Sequence, residues 1–205
     1  VKDSTITLVD VYKGSDANNY DNTNWSQGNN LPIAALVVGN RSNSYAYPTN
    51  CTVTDTKIVA PDGYKAIYGY GMEGENRSVA LNLGDGCDVT GEFQMDGKAA
   101  ASITGGVYTA NPGPYVAKDY GMFETSDGKY GVGQPVTVTF DKGIFTADPD
   151  TENLTWNVYT GQTFAEAKKE FPKLSYKNGG YGAFAWVYPS SYPALSNEPI
   201  PADLI

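Results

Sequence analysis

Short strand-like segments separated by turn residues run along most of this 205-residue chain, and they constrain its fold more than any other feature. Apolar and polar residues alternate over Thr5–Tyr12 and Gln134–Phe140, which is the period of a strand with one buried face. Segments rich in glycine, proline and aspartate lie between the strands, as at Ala60–Gly63 and Gly84–Gly86, and these residue types favour tight turns. The sequence therefore predicts an all-β protein.

The turns also predict how the strands of the first half pair. Thr52–Val59 and Tyr64–Tyr70 flank the first turn, and Ser78–Leu83 and Val89–Met95 flank the second, so we expect two antiparallel hairpins. The continuous apolar run Pro32–Val38 predicts a buried central strand. No period of about 20 to 50 residues repeats along the chain, which excludes a solenoid or a propeller.

The second half carries a boundary signal and one helix signal. Asn111–Pro114 contains two prolines and a glycine, which interrupt a strand ladder. We therefore predict one domain over residues 1–110 and a second, β-rich domain over 111–205. Thr163–Glu166 fits a capping box, so we expect a short helix near 164–171 that docks on a sheet.

The charge balance limits the partners that this chain can bind. It has 23 acidic and 14 basic residues and a formal net charge of −9, and such a surface repels nucleic acid because phosphate binding relies on clustered lysine and arginine. No run of about 18 apolar residues exists, so no membrane-spanning segment is expected. Abundant tyrosine and asparagine suit extracellular binding, and a start at Val1 without methionine favours a processed, exported chain.

The segment from Ile6 to about Val107 is similar to a known family in its turn and strand motifs. The matching motifs are Leu36–Ser42, Pro61–Tyr64, Leu83–Gly86 and Val89–Phe93. They resemble the telokin-like, immunoglobulin-type domains of exported bacterial proteins and lipoproteins, the group that includes immunoprotective extracellular proteins. The resemblance implies an antiparallel immunoglobulin-like β-sandwich in the first half, an extracellular or cell-surface location and no enzymatic activity.

Cys51 and Cys87 are the two cysteines of the chain. In an exported protein we expect them to form a disulfide, which would stabilise the fold by roughly 3 to 4 kcal/mol; two free, buried thiols are the alternative. The chain contains no histidine, so a Cys–His nucleophile and a Cys/His zinc site are excluded.

Aromatic residues are the candidate binding residues. Tyr45 and Tyr47 are spaced to share one face of a strand, as are Tyr68 and Tyr70. Such pairs could stack on sugar rings or on an apolar partner surface, or they could form a cross-strand aromatic ladder within the fold. Trp25 lies in a polar segment, which makes it the tryptophan that we expect to be exposed.

The acidic residues form no recognisable catalytic or metal-binding pattern. Asp148–Asn153 places carboxylates at alternate positions, but asparagine stands where a calcium loop needs glycine, so we interpret the segment as a solvated acidic turn. Glu73, Glu75, Glu92 and Glu124 could serve a glycosidase, yet their spacing singles out no pair. We expect no metal and no cofactor.

Taken together, these features predict a non-catalytic extracellular or cell-surface module that binds a protein or a glycan. Two alternatives stay open. One is a structural spacer that holds another domain away from a cell surface, and the other is a carbohydrate-active enzyme that uses two carboxylates.

Overall fold

The computed structural model describes residues 1–9, 23–25, 29–31, 33–40, 47–73, 76–141, 145–147, 153–170 and 174–176. The strands are β1 (Lys2–Thr7), β2 (Thr23–Trp25), β3 (Asn29–Leu31), β4 (Ala34–Asn40), β5 (Thr49–Val59), β6 (Lys65–Gly71), β7 (Val79–Leu83), β8 (Asp88–Thr90), β9 (Glu92–Gly97), β10 (Ala99–Ile103), β11 (Val107–Tyr108), β12 (Gly121–Glu124), β13 (Tyr130–Gly133), β14 (Pro135–Asp141), β15 (Phe145–Ala147), β16 (Asn153–Tyr159) and β17 (Leu174–Tyr176). The helix α1 (Phe164–Ala167) continues into a 3-10 turn at Lys168–Glu170, and another 3-10 turn lies at Gly113–Tyr115. The predicted all-β class is confirmed.

Parallel pairing dominates the first half of the chain. Strands β4, β6 and β9 form one parallel sheet. The first part of β5 pairs with β7, and β7 with β10, to form a second parallel sheet. The last part of β5 lies between β1 and β8, and β8 pairs with β11, again in parallel. The chain therefore winds through three sheets in turn, and it does so three times: β4–β5, then β6–β8, then β9–β11.

This arrangement bears on three sequence-based predictions. The two expected antiparallel hairpins are wrong, because the strands that flank each turn do not pair with each other. Each pairs in parallel with strands of neighbouring windings instead. The exclusion of a solenoid is also wrong. The immunoglobulin-like sandwich is not confirmed, because its antiparallel order differs from the parallel register found here.

The windings differ in length, which explains why no sequence period is visible. Leu36 and Ile67 pair across 31 residues, whereas Ile67 and Phe93 pair across 26, and Leu83 and Ile103 pair across 20. The repeat is visible in which strands pair with each other. It is not visible as similar residues that recur at a constant interval along the sequence. Self-similarity at a fixed period is the signal that a sequence search for solenoids depends on.

The core consists of side chains stacked in columns along the windings. The columns are Leu36, Ile67 and Phe93; Val53, Leu83 and Ile103; and Ile58, Val89 and Tyr108. Most of these side chains are completely buried, and burial of each large apolar side chain contributes roughly 1.5–3 kcal/mol. These columns belong to one continuous core, built from the side chains that the strands direct inward.

The corner between the second and third sheets repeats in every winding. Asp55, Gly86 and Gly106 each take a positive φ there, of 47°, 71° and 97°. The Asp55 amide donates to the Asp85 carbonyl at 2.9 Å, which ties one corner to the next. A Cβ atom on Gly106 would lie 2.8 Å from the Cys87 carbonyl oxygen, so glycine is required at that position by both conformation and space.

The parallel stacking ends at an antiparallel hairpin. Strand β13 pairs antiparallel with β11 and with β12. The sheet that contains β8 and β11 therefore continues past the segment Asn111–Pro114. The division into domains 1–110 and 111–205 stays a prediction. Further antiparallel pairs join β14 to β16, β15 to β17 and β2 to β3, and Val136, Val158 and Ala167 form a second, smaller apolar cluster.

The predicted disulfide is wrong, because Cys51 and Cys87 are both free thiols. Cys51 lies in β5 opposite Leu81 of the second sheet. Cys87 lies at the corner that precedes β8, and its Sγ donates to the Val53 carbonyl oxygen at 3.4 Å. The expectation relied on an exported location, whereas the winding path places Cys51 within strand β5 and Cys87 at the corner before β8.

Candidate functional site

The aromatic residues singled out from the sequence lie in different environments. Tyr68 is buried, with 1% of its surface exposed, and its hydroxyl donates to Asp96 Oδ2 at 3.0 Å. Tyr70 is half-buried, and Tyr47 is 75% exposed. A buried ring cannot stack on a ligand, so Tyr68 serves the fold, whereas Tyr47 remains accessible.

The other two predicted binding residues are Tyr45 and Trp25. Tyr45 lies outside the described residues. Trp25 is described only as the end of strand β2, where it pairs with Asn29. Their predicted binding role therefore stays a prediction.

A cavity of about 770 Å³ lies where the windings meet the antiparallel hairpin. We call it the acidic cavity. Three turns form its walls: the corner Asp85–Asp88, the hairpin turn Thr125–Lys129 between β12 and β13, and the segment Thr160–Glu166 that leads into α1. Each turn was recognisable in the sequence from its glycine, aspartate or capping residues, and the fold brings all three together.

Hydrogen bonds within the hairpin turn fix its carboxylate. The Thr125 hydroxyl donates to Asp127 Oδ1 at 2.6 Å and accepts from the Lys129 amide at 2.9 Å. Gly128 takes a positive φ of 79°, a conformation that glycine adopts without strain. The turn therefore presents the carboxylate of Asp127 to the cavity in a defined position.

Glu166 joins the hairpin turn to the helix. Its Oε2 accepts from the Thr163 amide at 2.9 Å, while the Glu166 amide donates to Thr163 Oγ1 at 3.3 Å. This reciprocal pair confirms the predicted capping box. The other oxygen, Oε1, accepts from the Ser126 amide at 2.7 Å. One buried carboxylate thus holds two walls of the acidic cavity together.

A lysine bridges two further carboxylates of the cavity. Lys129 Nζ lies 3.7 Å from Asp88 Oδ1 and 3.3 Å from Asp127 Oδ2, so those two carboxylates are at most about 7 Å apart. The hydrogen bond from Thr125 lowers the pKa of Asp127, and Lys129 lowers it further. Asp127 and then Asp88 raise the pKa of Lys129. The lowered pKa of Asp127 and the raised pKa of Lys129 favour the charged form of both groups. The exposed Asp85 adds another carboxylate to the lining.

An aromatic ring forms one apolar wall. The ring of Phe123 stacks on Tyr159 with centroids 6.0 Å apart and an interplanar angle of 19°. Phe123 lies directly opposite Gly131 in the β12–β13 register, and a Cβ atom on Gly131 would come within 2.2 Å of the ring. The glycine therefore makes room for the ring.

The thiol in the cavity lining, that of Cys87, is not an activated nucleophile. Burial raises the pKa of the Cys87 thiol above its ordinary value, which disfavours the reactive thiolate. The described residues contain no group of three histidine, cysteine, aspartate or glutamate side chains suited to a metal ion, and residues 148–152 of the predicted acidic turn lie outside them. What the lining offers is hydrogen bonding from carboxylates, hydroxyls and one ammonium, together with an aromatic wall.

Comparison with known protein families, curated proteins and solved structures gave no match to this chain. Among the described residues, no helix combines the length and the apolar character that crossing a membrane requires.

Sequence reasoning missed the acidic cavity for a physical reason. A turn motif specifies local backbone conformation, and it carries no information about which other turns lie beside it. The useful signal was that Gly84–Asp88, Thr125–Lys129 and Gly161–Glu166 each combine a turn with a charged residue.

Proposed function

We propose that this protein is a non-catalytic extracellular or cell-surface module that binds a glycan in the acidic cavity. The observation that carries the proposal is the mixed lining of that cavity. Carboxylates accept hydrogen bonds, serine and threonine hydroxyls both donate and accept, and Lys129 donates. A sugar presents hydroxyl groups of the same dual character and apolar ring faces, which match Phe123.

The charge of the cavity favours a neutral glycan. Asp85, Asp88, Asp127 and Glu166 contribute four carboxylates against the single ammonium of Lys129, and the whole chain has a formal net charge of −9. A sulfated or carboxylated sugar would meet like charge inside a partly enclosed space, where repulsion is stronger than in bulk water. A neutral sugar avoids this cost and still uses the hydrogen-bonding groups.

The electrostatics support binding more than hydrolysis. A glycosidase needs one carboxylic acid whose pKa is raised, so that it can protonate the leaving group. The pKa of Asp127 is lowered instead. Asp88 forms an ion pair with Lys129. Two carboxylates noted from the sequence, Glu73 and Glu92, form surface ion pairs with Lys98 and Lys65.

The direct test is a glycan array followed by titration calorimetry with the neutral glycan that binds. The key variant is Asp127→Asn, because asparagine keeps an oxygen for Thr125 and removes only the charge. We expect it to weaken binding by about tenfold, which corresponds to about 1.4 kcal/mol. Asp119→Asn is the matched control, since Asp119 is exposed and lies outside the cavity lining.

The alternative functions of the protein predict different results. Absence of binding to every glycan on the array would favour a spacer. Capture of a protein partner with no glycan bound would favour a protein-binding module. Release of reducing sugar from a bound polysaccharide would identify an enzyme. Each of these outcomes, or equal effects of Asp127→Asn and Asp119→Asn, would overturn the proposal.

A further inference from the structure

A second cavity of about 530 Å³ lies next to the acidic cavity. Both cavities are lined by Phe123 and Glu166, so these two side chains form a wall that the cavities share. Each volume falls in the range of about 300–1,000 Å³ that encloses a drug-sized ligand. Together they exceed the space that one sugar ring fills.

The second cavity has the same kind of chemistry as the first. Asn157 Oδ1 accepts from the Thr137 hydroxyl at 3.1 Å, and Gln162 Oε1 accepts from the Tyr159 amide at 3.1 Å, which orients both amide side chains. Lys169 and the ring of Tyr159 also line this cavity. Amide groups next to an aromatic ring offer a sugar both directional hydrogen bonds and an apolar contact.

The wall between the cavities is held in place on both sides. Glu166 is 6% exposed, and its two carboxylate oxygens accept from the Ser126 and Thr163 amides. The Phe123 ring stacks on Tyr159 and lies so close to Gly131 that no Cβ atom fits there. The distance between the cavities is therefore set before a ligand arrives, and such preorganisation reduces the entropy lost on binding.

We infer that the ligand is a neutral oligosaccharide chain whose successive sugar units occupy the acidic cavity and the second cavity, passing over Phe123 and Glu166. This inference rests on the proposed function and specifies its ligand as a chain of linked rings. A single ring would use only one of two adjacent cavities that have matching chemistry. A linear oligosaccharide uses both through one covalent chain, and linked binding events reinforce one another.

The test is calorimetry with cello-, manno- and chitooligosaccharides, each from monomer to hexamer. We expect affinity to rise by about tenfold or more between the monomer and the tetramer in the series that binds, and then to level off. Lys169→Ala is expected to weaken tetramer binding several-fold more than monomer binding, because Lys169 lines only the second cavity. Ser126→Ala should weaken both. Lys118→Ala, an exposed lysine outside both cavities, is the control and should change neither.

The outcomes separate this inference from the proposed function. Equal affinity for the monomer and the longer chains, or equal effects of Lys169→Ala on both, would overturn the oligosaccharide inference while glycan binding stood. Failure of every chain length, on folded protein with an unchanged circular dichroism spectrum, would overturn the proposed function and the inference together.

Discussion

Gly131 is the residue on which the aromatic wall depends. Its α-carbon faces the Phe123 ring with no room for a Cβ atom, so Gly131→Ala must displace the ring from Tyr159 and from the cavity. We expect a loss of about 1–3 kcal/mol in the free energy of unfolding, as for other overpacked sites, and weaker glycan binding. Urea denaturation and calorimetry measure the two effects.

Gly63→Ala is the matched control for that substitution. Gly63 has a positive φ of 85° but no atoms close to the position of a Cβ, so alanine there adds only backbone strain of about 1–2 kcal/mol. Both variants should therefore lose stability, and only Gly131→Ala should lose affinity. Equal affinity in the two variants would show that the Phe123 ring does not contribute to binding.

Two buried groups, Cys87 and Tyr108, predict how stability depends on alkaline pH. Burial is the largest cause that raises the pKa of each above its ordinary value. A raised pKa in the folded state means that each group loses its proton at lower pH in the unfolded chain than in the folded protein. The stability that the two protonated groups contribute is therefore fully present below their ordinary pKa values and is lost as pH rises above them. We expect Tm to fall steadily between about pH 8 and pH 11.

The double variant Cys87→Ala, Tyr108→Phe tests this origin. It removes both ionisable groups and keeps most of the apolar volume in the core. Its Tm, followed by circular dichroism over the same pH range, should fall less steeply than that of the parent chain. If Tm falls equally steeply with pH in the variant and in the parent chain, other groups cause the alkaline loss of stability.

At the scale of elements, Glu166 decides whether the short helix α1 is held against the hairpin turn. Glu166→Ala leaves the Ser126 and Thr163 amides without their acceptor, and a buried unsatisfied donor costs about 1–3 kcal/mol. Glu166→Gln keeps one acceptor oxygen and should cost less. The exposed Glu124→Gln should stay within about 0.5 kcal/mol of the parent in urea denaturation, and a similar loss there would contradict this role for Glu166.

The positions of many strands could be predicted from the sequence, whereas their partners could not. The predicted strands Thr52–Val59 and Tyr64–Tyr70 match β5 and β6 closely, because alternation reports which face of a strand is buried. Alternation is the same whether the neighbouring strand runs parallel or antiparallel. Ala60–Gly63 has the residues of a hairpin turn, yet it leads the chain from one sheet into the next.

The capping box shows the opposite case. Thr163 and Glu166 satisfy each other within a few residues of chain, so local sequence was enough to predict the start of the helix. The additional bond from Ser126 spans 40 residues and could not be inferred locally. The acidic cavity belongs to this second kind of feature, because it depends on contacts between distant turns.

At the scale of the whole molecule, the candidate site depends on the windings. The acidic cavity is lined by Asp85–Asp88 from the second winding, by Val107 from the third and by the hairpin that pairs with it. Neighbouring windings are joined by hydrogen-bonded ladders in all three sheets and share one core. A destabilising change inside the second winding should therefore also destabilise both neighbouring windings. Solenoids behave in this way when the interfaces between repeats dominate their stability.

Leu83→Ala tests that coupling. Leu83 is fully buried between Val53 and Ile103 in the ladder of the second sheet, so its truncation should cost about 2–5 kcal/mol. Asn82→Ala, at the adjacent exposed position, is the control and should change stability by less than about 0.5 kcal/mol. Hydrogen exchange followed by mass spectrometry should show faster exchange in β5 and β10 as well as in β7, because the three strands form one ladder and open together. Faster exchange confined to β7 would mean that each winding is stable by itself, and the cavity could then not rely on its neighbours for its shape.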